Sequence, residues 1–470
     1  MSILLSIKPA NEYSGLMICP TIAPEIVSLQ TAGKETGDIR MIGGKAILSL
    51  GTQNKLSAEM LRRAGGLLAK WLASNNISDA GIELETIIGM GMPPSTAIMA
   101  FSEGVLLGAF TFDNYKSGKE NKLTTLWLLT DQKTSLDDGD LVGYIRKATI
   151  TAEAVNLARE WAHEPPNVIN PVTLAERVQK IATEVGLKCT ILDDKQLSAM
   201  GANAIVAVGS GSNTTSRLMI LEHTGNSSAK PIVLVGKALT MDTGGYSLKS
   251  TDSIVGMKYD KSGGMAVIAT LVASARLNLA TPVLGVIASA ENMISGGAYR
   301  PNDILKALNG KTIEIISTDA EGRLVLADAL TYAERTFLPR AMIDIATLTG
   351  AVVVALGTQR AGLLSTNDHL AEALFNSGEK TFERLWRLPL DEEYFEQIKG
   401  NDSDIKNSGG RMAGSVIGGI FLKQFVTDET PWAHLDIAGM ADTEKDLAYC
   451  PKGGVGFGVR LFLDFLNNYE

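Results

Sequence analysis

Histidine is nearly missing from this chain. Its 470 residues include His163, His223, His369 and His434 only, with no HExxH and no pair at a metal-binding spacing. Any catalytic metal is therefore expected among oxygen donors rather than in a histidine cluster. Cysteine is as scarce: Cys19, Cys189 and Cys450 lie far apart and form no CxxC. That argues against a disulfide framework and fits a reducing compartment. Positive charge is in deficit, with 43 Lys and Arg against 52 Asp and Glu and a formal net charge of −9. An electrostatically driven nucleic-acid binder is not expected from such a balance. No apolar run approaches the roughly 20 residues a membrane span needs. No basic residue precedes the short apolar patch in MSILLSIKPANEY, so no secretory signal is expected. The reading is a cytoplasmic protein with no membrane association.

What the chain does have is apolar material, 45% of it against 20% charged residues, enough for a large core. Its length suggests two domains. Residues 1–150 alternate short apolar segments with helical patterns. KAILSLG and GVLLGAFTF read as strands, and SAEMLRRAGGLLAKWLASN carries apolar residues at helical spacing. This α/β region shows no acid–base constellation and reads as an assembly or scaffold domain. Residues 151–166 form the connector: a long helix over 141–162 stops at Pro165–Pro166. The next helix begins with Asn170 as cap and Pro171 at its first position, and ends at Gly186. Residues 167–470 form the larger domain. CTILD, AIVAVG, PIVLVG, PVLGVIAS, TIEIIS and AMIDIATL are near-continuous apolar runs, as strands buried on both faces require. Helical stretches separate them. The fold class is α/β, with a smaller α/β N-terminal domain and a larger catalytic domain whose mainly parallel sheet is flanked by helices. Ligands are expected at the carboxyl ends of its strands.

Charge gathers at three such ends. Lys237, Asp242 and Lys249 follow PIVLVG; Asp260 follows SIVGM; Asp319, Glu321 and Arg323 follow TIEIIS. Each alone has an ordinary explanation. An Asp at a strand end usually makes a turn or caps a helix. Glu321 suits a first helical turn, and Lys237 could pair with any acid. Together on one sheet edge they would put four carboxylates beside two lysines, which cannot all stay ionised without more positive charge. Divalent ions would supply it, and two of them would hold a hydroxide and polarise a carbonyl.

The same residues carry a family resemblance. NTDAEGRL is the signature of the leucyl (cytosol) aminopeptidases, and this chain reads STDAEGRL from Ser317 to Leu324. VGKALTMDTGGYSLK, MKYDKSGG, RPNDI, DIATLTGA, AGSVIGGIFLKQFV and WAHLDIAGMA resemble the family's other blocks, over residues 160 to 470 strongly and the N-terminal part weakly. The resemblance implies Lys237, Asp242, Asp260 and Glu321 as ligands of a readily exchanged metal, and Asp242, Asp319 and Glu321 as ligands of a tighter one. It implies Lys249 and Arg323 as catalytic residues, with Arg323 anchoring a bicarbonate. Met257, Thr347, Gly350 and Ala438 fall where the family lines its substrate pocket, and Leu348 where it makes a main-chain contact. The implied cofactors are two divalent ions, Mn²⁺ or Zn²⁺ with Mg²⁺ also open. The implied reaction releases leucine-like N-terminal residues from short peptides through a metal-bridging hydroxide. The implied assembly is a homohexamer, a dimer of trimers.

This chain departs from the pattern in places. Ser317 replaces the usual Asn, which leaves any contact made there open. Lys261 stands where many members have Met; it is read as pointing outward into solvent. Thr243 and Tyr246 look tolerable replacements. His434 and Trp432 read as core and supporting residues rather than ligands. Two other readings stay open at this point: a specialised dipeptidase such as a Cys-Gly hydrolase, and a non-peptidase binding or regulatory member.

Overall fold

The computed structural model describes residues 2–23, 35–118, 123–131 and 136–469. The chain forms two compact units, one of Met1–Asn156 with Glu444–Gly453, the other of Leu157–Thr443 with Gly454–Glu470. The return of 444–453 to the first unit has no signature in composition. The helix read over 141–162 spans Asp138–His163.

The first unit holds a six-stranded sheet of β1 (Ser2–Pro9), β2 (Leu16–Ala23), β3 (Ile39–Ile42), β4 (Lys45–Thr52), β5 (Asp79–Glu83) and β6 (Leu123–Thr130). Its order is β1-β6-β5-β2-β4-β3. All pairings are parallel except β3 with β4. The amphipathic helix Ala58–Ser74 buries Leu61, Leu68 and Leu72 against Ile18, Leu48 and Ile82 in one core. GVLLGAFTF is not a strand. Its first part closes the helix Pro94–Gly108, of which Ala97 to Phe101 and Val105 to Gly108 are largely buried. A helix enclosed on most sides shows no polar stripe, so its sequence looks like a buried strand.

The second unit contains an eight-stranded sheet: β7 (Lys188–Leu192), β8 (Arg217–His223), β9 (Ile232–Asp242), β10 (Val283–Asn292), then, after the short β11 (Ile304–Lys306) and β12 (Thr312–Glu314), β13 (Ala341–Ala346), β14 (Ala361–Ser365), β15 (Leu385–Arg387) and, after β16 (Ile405–Lys406), β17 (Trp432–Asp436). The order is β15-β14-β17-β13-β9-β10-β8-β7. The centre, β10-β9-β13-β17, is parallel throughout. Antiparallel pairings β8–β10, β7–β8 and β14–β17 lie toward the margins. Helices such as Ser262–Leu277 and Gly322–Phe337 pack against the sheet. In β9, Ile232 to Val235, Ala238 and Leu239 are wholly buried. Each such Ile, Val or Leu contributes about 1.5–3 kcal/mol relative to exposure.

The helix Pro171–Val185 starts and stops as its sequence dictates. The Asn170 side chain accepts from the Val172 and Thr173 amides, and Gly186 turns the chain at φ 76°. Two apolar runs depart from expectation. AIVAVG lies in the helix Asn203–Gly209. Its Ile205 amide is satisfied by Asp328, 123 residues away, a partner no local pattern reveals. TIEIIS supplies only β12, in a small sheet with β11 and β16 rather than the main one.

Candidate metal centre

The charged residues converge, although not from three strand ends. β9 carries Lys237 and ends at Asp242. Asp260 sits in the 3-10 turn Met257–Lys261. Asp319 and Glu321 belong to the turn before the helix Gly322–Phe337. Two loops complete the place: 347–349 after β13, and the segment after β17. Lys237, Asp242, Lys249, Asp260, Asp319 and Glu321 line one cavity of about 460 Å³, as do Met257, Thr347, Leu348, Gly350 and Ala438.

The turn after Asp242 needs its glycine. Gly244 has φ +84°, and a Cβ there would come 2.8 Å from Asp319 Oδ1. The Asp242 carboxylate is fixed by the Gly244 amide at 2.8 Å and by Asn292 Nδ2 at 2.8 Å. Lys237 Nζ donates to Asp260 Oδ1 at 2.8 Å and the Thr347 carbonyl at 2.9 Å, and pairs with Glu321 Oε1 at 2.9 Å. Lys249 Nζ bridges Asp242 Oδ2, at 2.9 Å, and Asp319 Oδ1. Thr347 Oγ1 donates to Asp260 Oδ1 at 2.6 Å.

Burial is the first influence on Lys237, Lys249, Asp260, Asp319 and Glu321, and it disfavours charge. It lifts Asp260 to about 6, with Lys237 opposing and Asp242 adding to the rise. It lifts Glu321 to about 8, helped by Asp242 and opposed by Lys237. Asp319 is raised for the same reason. Burial would lower Lys237, but Asp260, Glu321 and Asp242 outweigh it and hold the ammonium above its ordinary value. Lys249 is likewise held up, burial being outweighed by Asp242 and Glu321. The cluster is short of positive charge, so its acids compete for too few cations.

The donor set suits a divalent metal ion. One oxygen each from Asp242, Asp319 and Glu321 lie within 4.8 Å of one another. Asp260 Oδ2 is buried with no hydrogen-bond partner, a carboxylate oxygen whose desolvation nothing yet offsets. Lys237 could join the ligands once its amine is neutral, and nearby dications would favour the neutral form. Arg323 does not line the cavity. It is buried, donates through Nη1 to the Asn407 carbonyl at 2.8 Å, lies 5.9 Å from the Phe421 ring, and leaves Nε without a partner. Burial lowers its guanidinium to about 10, against the pull of Glu321 and Asp436.

Lys261 is not solvated. It points away from the cavity but is fully buried, donating to the carbonyls of Ala162, Glu164 and Lys258. The three acceptors match the three N–H groups of an ammonium, yet burial, with Lys258 adding, lowers it to about 7 against the pull of Glu164 and Asp260. Ser317 Oγ accepts from the Asp319 amide at 3.2 Å, so the shorter side chain steadies the turn locally.

Several supporting residues escaped the sequence reading. Asn292 Nδ2 ties Asp242 to the Thr318 carbonyl. Asn407 accepts from the Ile316 and Ser317 amides and donates to the Ser317 carbonyl. Asp436, which was not singled out, shares one face of β17 with Trp432 and His434, read from the sequence as core and supporting residues. Trp432 Nε1 and His434 Nδ1 both meet Asp344, at 2.8 and 2.5 Å. The visible signal was polar residues at period two inside an apolar strand, WAHLD.

Residues 156–463 match the model of the cytosol aminopeptidase family catalytic domain, and residues 43–119 that of its N-terminal domain. The chain is 42% identical to a probable cytosol aminopeptidase of Syntrophotalea carbinolica, over 89% of this chain and 84% of the relative. It is 41% identical to one of Aquifex aeolicus, over 94% and 87%. Among solved structures it is similar to the bottromycin maturation enzyme BotP in complex with Mn, at 31% identity and TM-score 0.88, covering 96% of this chain and 98% of that one. With both domain models matched in order and likeness running through nearly the whole length, the chain belongs to the cytosol aminopeptidase family.

Proposed function

We propose that this chain is a two-metal aminopeptidase that releases leucine-like N-terminal residues from short peptides. The observation that carries the reading is the meeting of Asp242, Asp319 and Glu321 within 4.8 Å, beside the unpartnered Asp260 Oδ2. Asp242, Asp260, Asp319 and Glu321, with Lys237 as a neutral amine, would hold the ions. When bound, two divalent ions would polarise the scissile carbonyl, lower the pKa of a water and take the free α-amine of the peptide. The complex of BotP with Mn supports a divalent ion of that kind.

The chain's own residues supply the rest. Lys249, in reach of Asp242 and Asp319, donates to the oxygen that becomes negative as the carbonyl is attacked. Arg323, buried behind the cavity with its Nε unspent, would hold an anion such as bicarbonate, which would supply a base for the water's proton. Met257, Thr347, Leu348, Gly350 and Ala438 receive the N-terminal side chain. The proposed assembly is a homohexamer in the cytoplasm; among the described residues, no helix is long and apolar enough to cross a membrane. A specialised peptide substrate is the second reading, favoured by the likeness to the bottromycin maturation enzyme BotP.

The test is hydrolysis of leucine-p-nitroanilide with added Mn²⁺, set against N-acetyl-leucine, Ala and Cys-Gly substrates. Free-amine substrates are expected to be cleaved, blocked ones not, and Glu321→Ala to be inactive. Equal cleavage of blocked and free substrates would contradict the aminopeptidase reading. Cleavage of Cys-Gly alone would favour the specialised one.

A further inference from the structure

We propose that Asp436 is a positioning residue that sets the shape of the cavity wall and so the choice of N-terminal side chain, an inference resting on the function proposed above. β13 and β17 are parallel neighbours, with Ala346 paired to Asp436 at their ends. Beyond those ends the chain turns into the cavity wall on both sides, as Thr347 to Gly350 and as Ala438. Asp436 lies between the two segments and is fully buried.

Its carboxylate ties them together. Oδ1 accepts from the amides of Leu348 at 3.1 Å, Thr349 at 3.3 Å and Ala438 at 3.3 Å. Oδ2 accepts from Thr349 Oγ1 at 2.6 Å. Thr349 Oγ1 in turn accepts from the Val352 amide, capping the helix Gly350–Leu356, and meets Ser415 Oγ at 3.0 Å. One buried carboxylate thus holds the wall residues Leu348 and Ala438 and, through the cap, Gly350. Hydrogen bonds to a charged acceptor are stronger than neutral ones, and a donor left unpaired in such a place is costly.

The other end of the same loop is anchored separately. Thr347 meets Asp260 through its hydroxyl and Lys237 through its carbonyl. The loop therefore has a metal-side anchor and a wall-side anchor, and the two are independent in their hydrogen bonds. Loosening Asp436 is expected to blur the pocket while leaving the acidic cluster in place. A merely structural aspartate would instead weaken all substrates alike.

The experiment compares wild type, Asp436→Asn and Thr349→Val as full chains with Mn²⁺. It reads kcat and KM for leucine- and alanine-p-nitroanilide, Mn²⁺ affinity by calorimetry, and the melting profile. Asp436→Asn is expected to lower the leucine-to-alanine ratio of kcat/KM by about tenfold, the scale at which pocket contacts discriminate apolar side chains. The change is expected as a rise in KM for leucine, with Mn²⁺ affinity near wild type. Thr349→Val, which removes the Oδ2 contact together with the Val352 cap and the Ser415 contact but keeps the three amide bonds to Oδ1, is expected to move the ratio the same way and less. An unchanged ratio in a folded Asp436→Asn, or a loss of Mn²⁺ affinity with it, overturns the inference. If Asp436→Asn does not fold, Thr349→Val decides, and an unchanged ratio there overturns it. A wild type that cleaves neither anilide overturns the aminopeptidase reading and this inference together, whereas an active wild type with unmoved variants overturns this inference alone.

Discussion

Lys237 Nζ stands 2.8 Å from Asp260 Oδ1, although 23 residues separate them and both side chains are buried. The ammonium occupies ground between carboxylates where the proposed function puts a metal ion. The other Asp260 oxygen has no partner at all. Asp260→Asn keeps the shape and removes the charge. It is expected to weaken Mn²⁺ binding by roughly tenfold or more, the scale at which metal sites respond to a lost contact. Calorimetric titration of the purified variant checks this.

Lys249 touches Asp242 and Asp319 but is assigned a role toward substrate. Lys249→Met is expected to lower kcat by about 10²–10³, as loss of one donor to a developing oxyanion does. Leucine-p-nitroanilide kinetics with parallel Mn²⁺ titration separate this from a ligand role. A ligand lost from the centre would reduce Mn²⁺ affinity as well.

Lys261 makes a stability prediction. Replacing it by Met leaves the Ala162 and Glu164 carbonyls without their donor. Urea unfolding is expected to show a loss of about 1–3 kcal/mol, the cost of unsatisfied buried acceptors.

Asp328 makes a pH prediction. It is buried in the helix Gly322–Phe337 and accepts from the Ile205 amide at 3.0 Å and the Leu308 amide at 2.8 Å. Burial outweighs these donors and pushes its carboxyl up to about 7. The folded state then binds the proton more tightly than the unfolded chain. The resulting stability is present below the unfolded pKa near 4 and is lost as pH rises through about 7. The change is no more than about 4 kcal/mol, at about 1.4 kcal/mol per pKa unit. Asp328→Asn is expected to flatten urea midpoints measured between pH 5 and pH 8.

The sequence carried the centre well because its residues lie in compact blocks. STDAEGRL places Asp319, Glu321 and Arg323 within five positions, and Asp242 is followed by the glycines its turn requires. The parallel core of the larger sheet was legible from runs such as PIVLVG, since strands buried on both faces must be apolar throughout. AIVAVG misled for the same reason: a short helix buried on most sides is as apolar as a strand, and its amide partner, Asp328, is remote. Asp436, Asn292 and Asn407 were hidden because their work is to bond main-chain groups of other segments. Nothing in local sequence tells a buried polar residue that holds a loop from one that caps its own turn. Lys261 was misjudged because a lysine beside a proposed metal ligand reads as solvated. Only the fold brings three helix-end and turn carbonyls to meet it.

The central claim is that one acidic cluster takes up two divalent ions, with Glu321 shared between them. Calorimetric titration of Mn²⁺ into metal-stripped protein tests it most directly. Wild type is expected to bind two ions per chain, and Glu321→Ala to lose at least one of them. Binding of fewer than two ions by wild type, or an unchanged count and affinity in Glu321→Ala, would contradict the account.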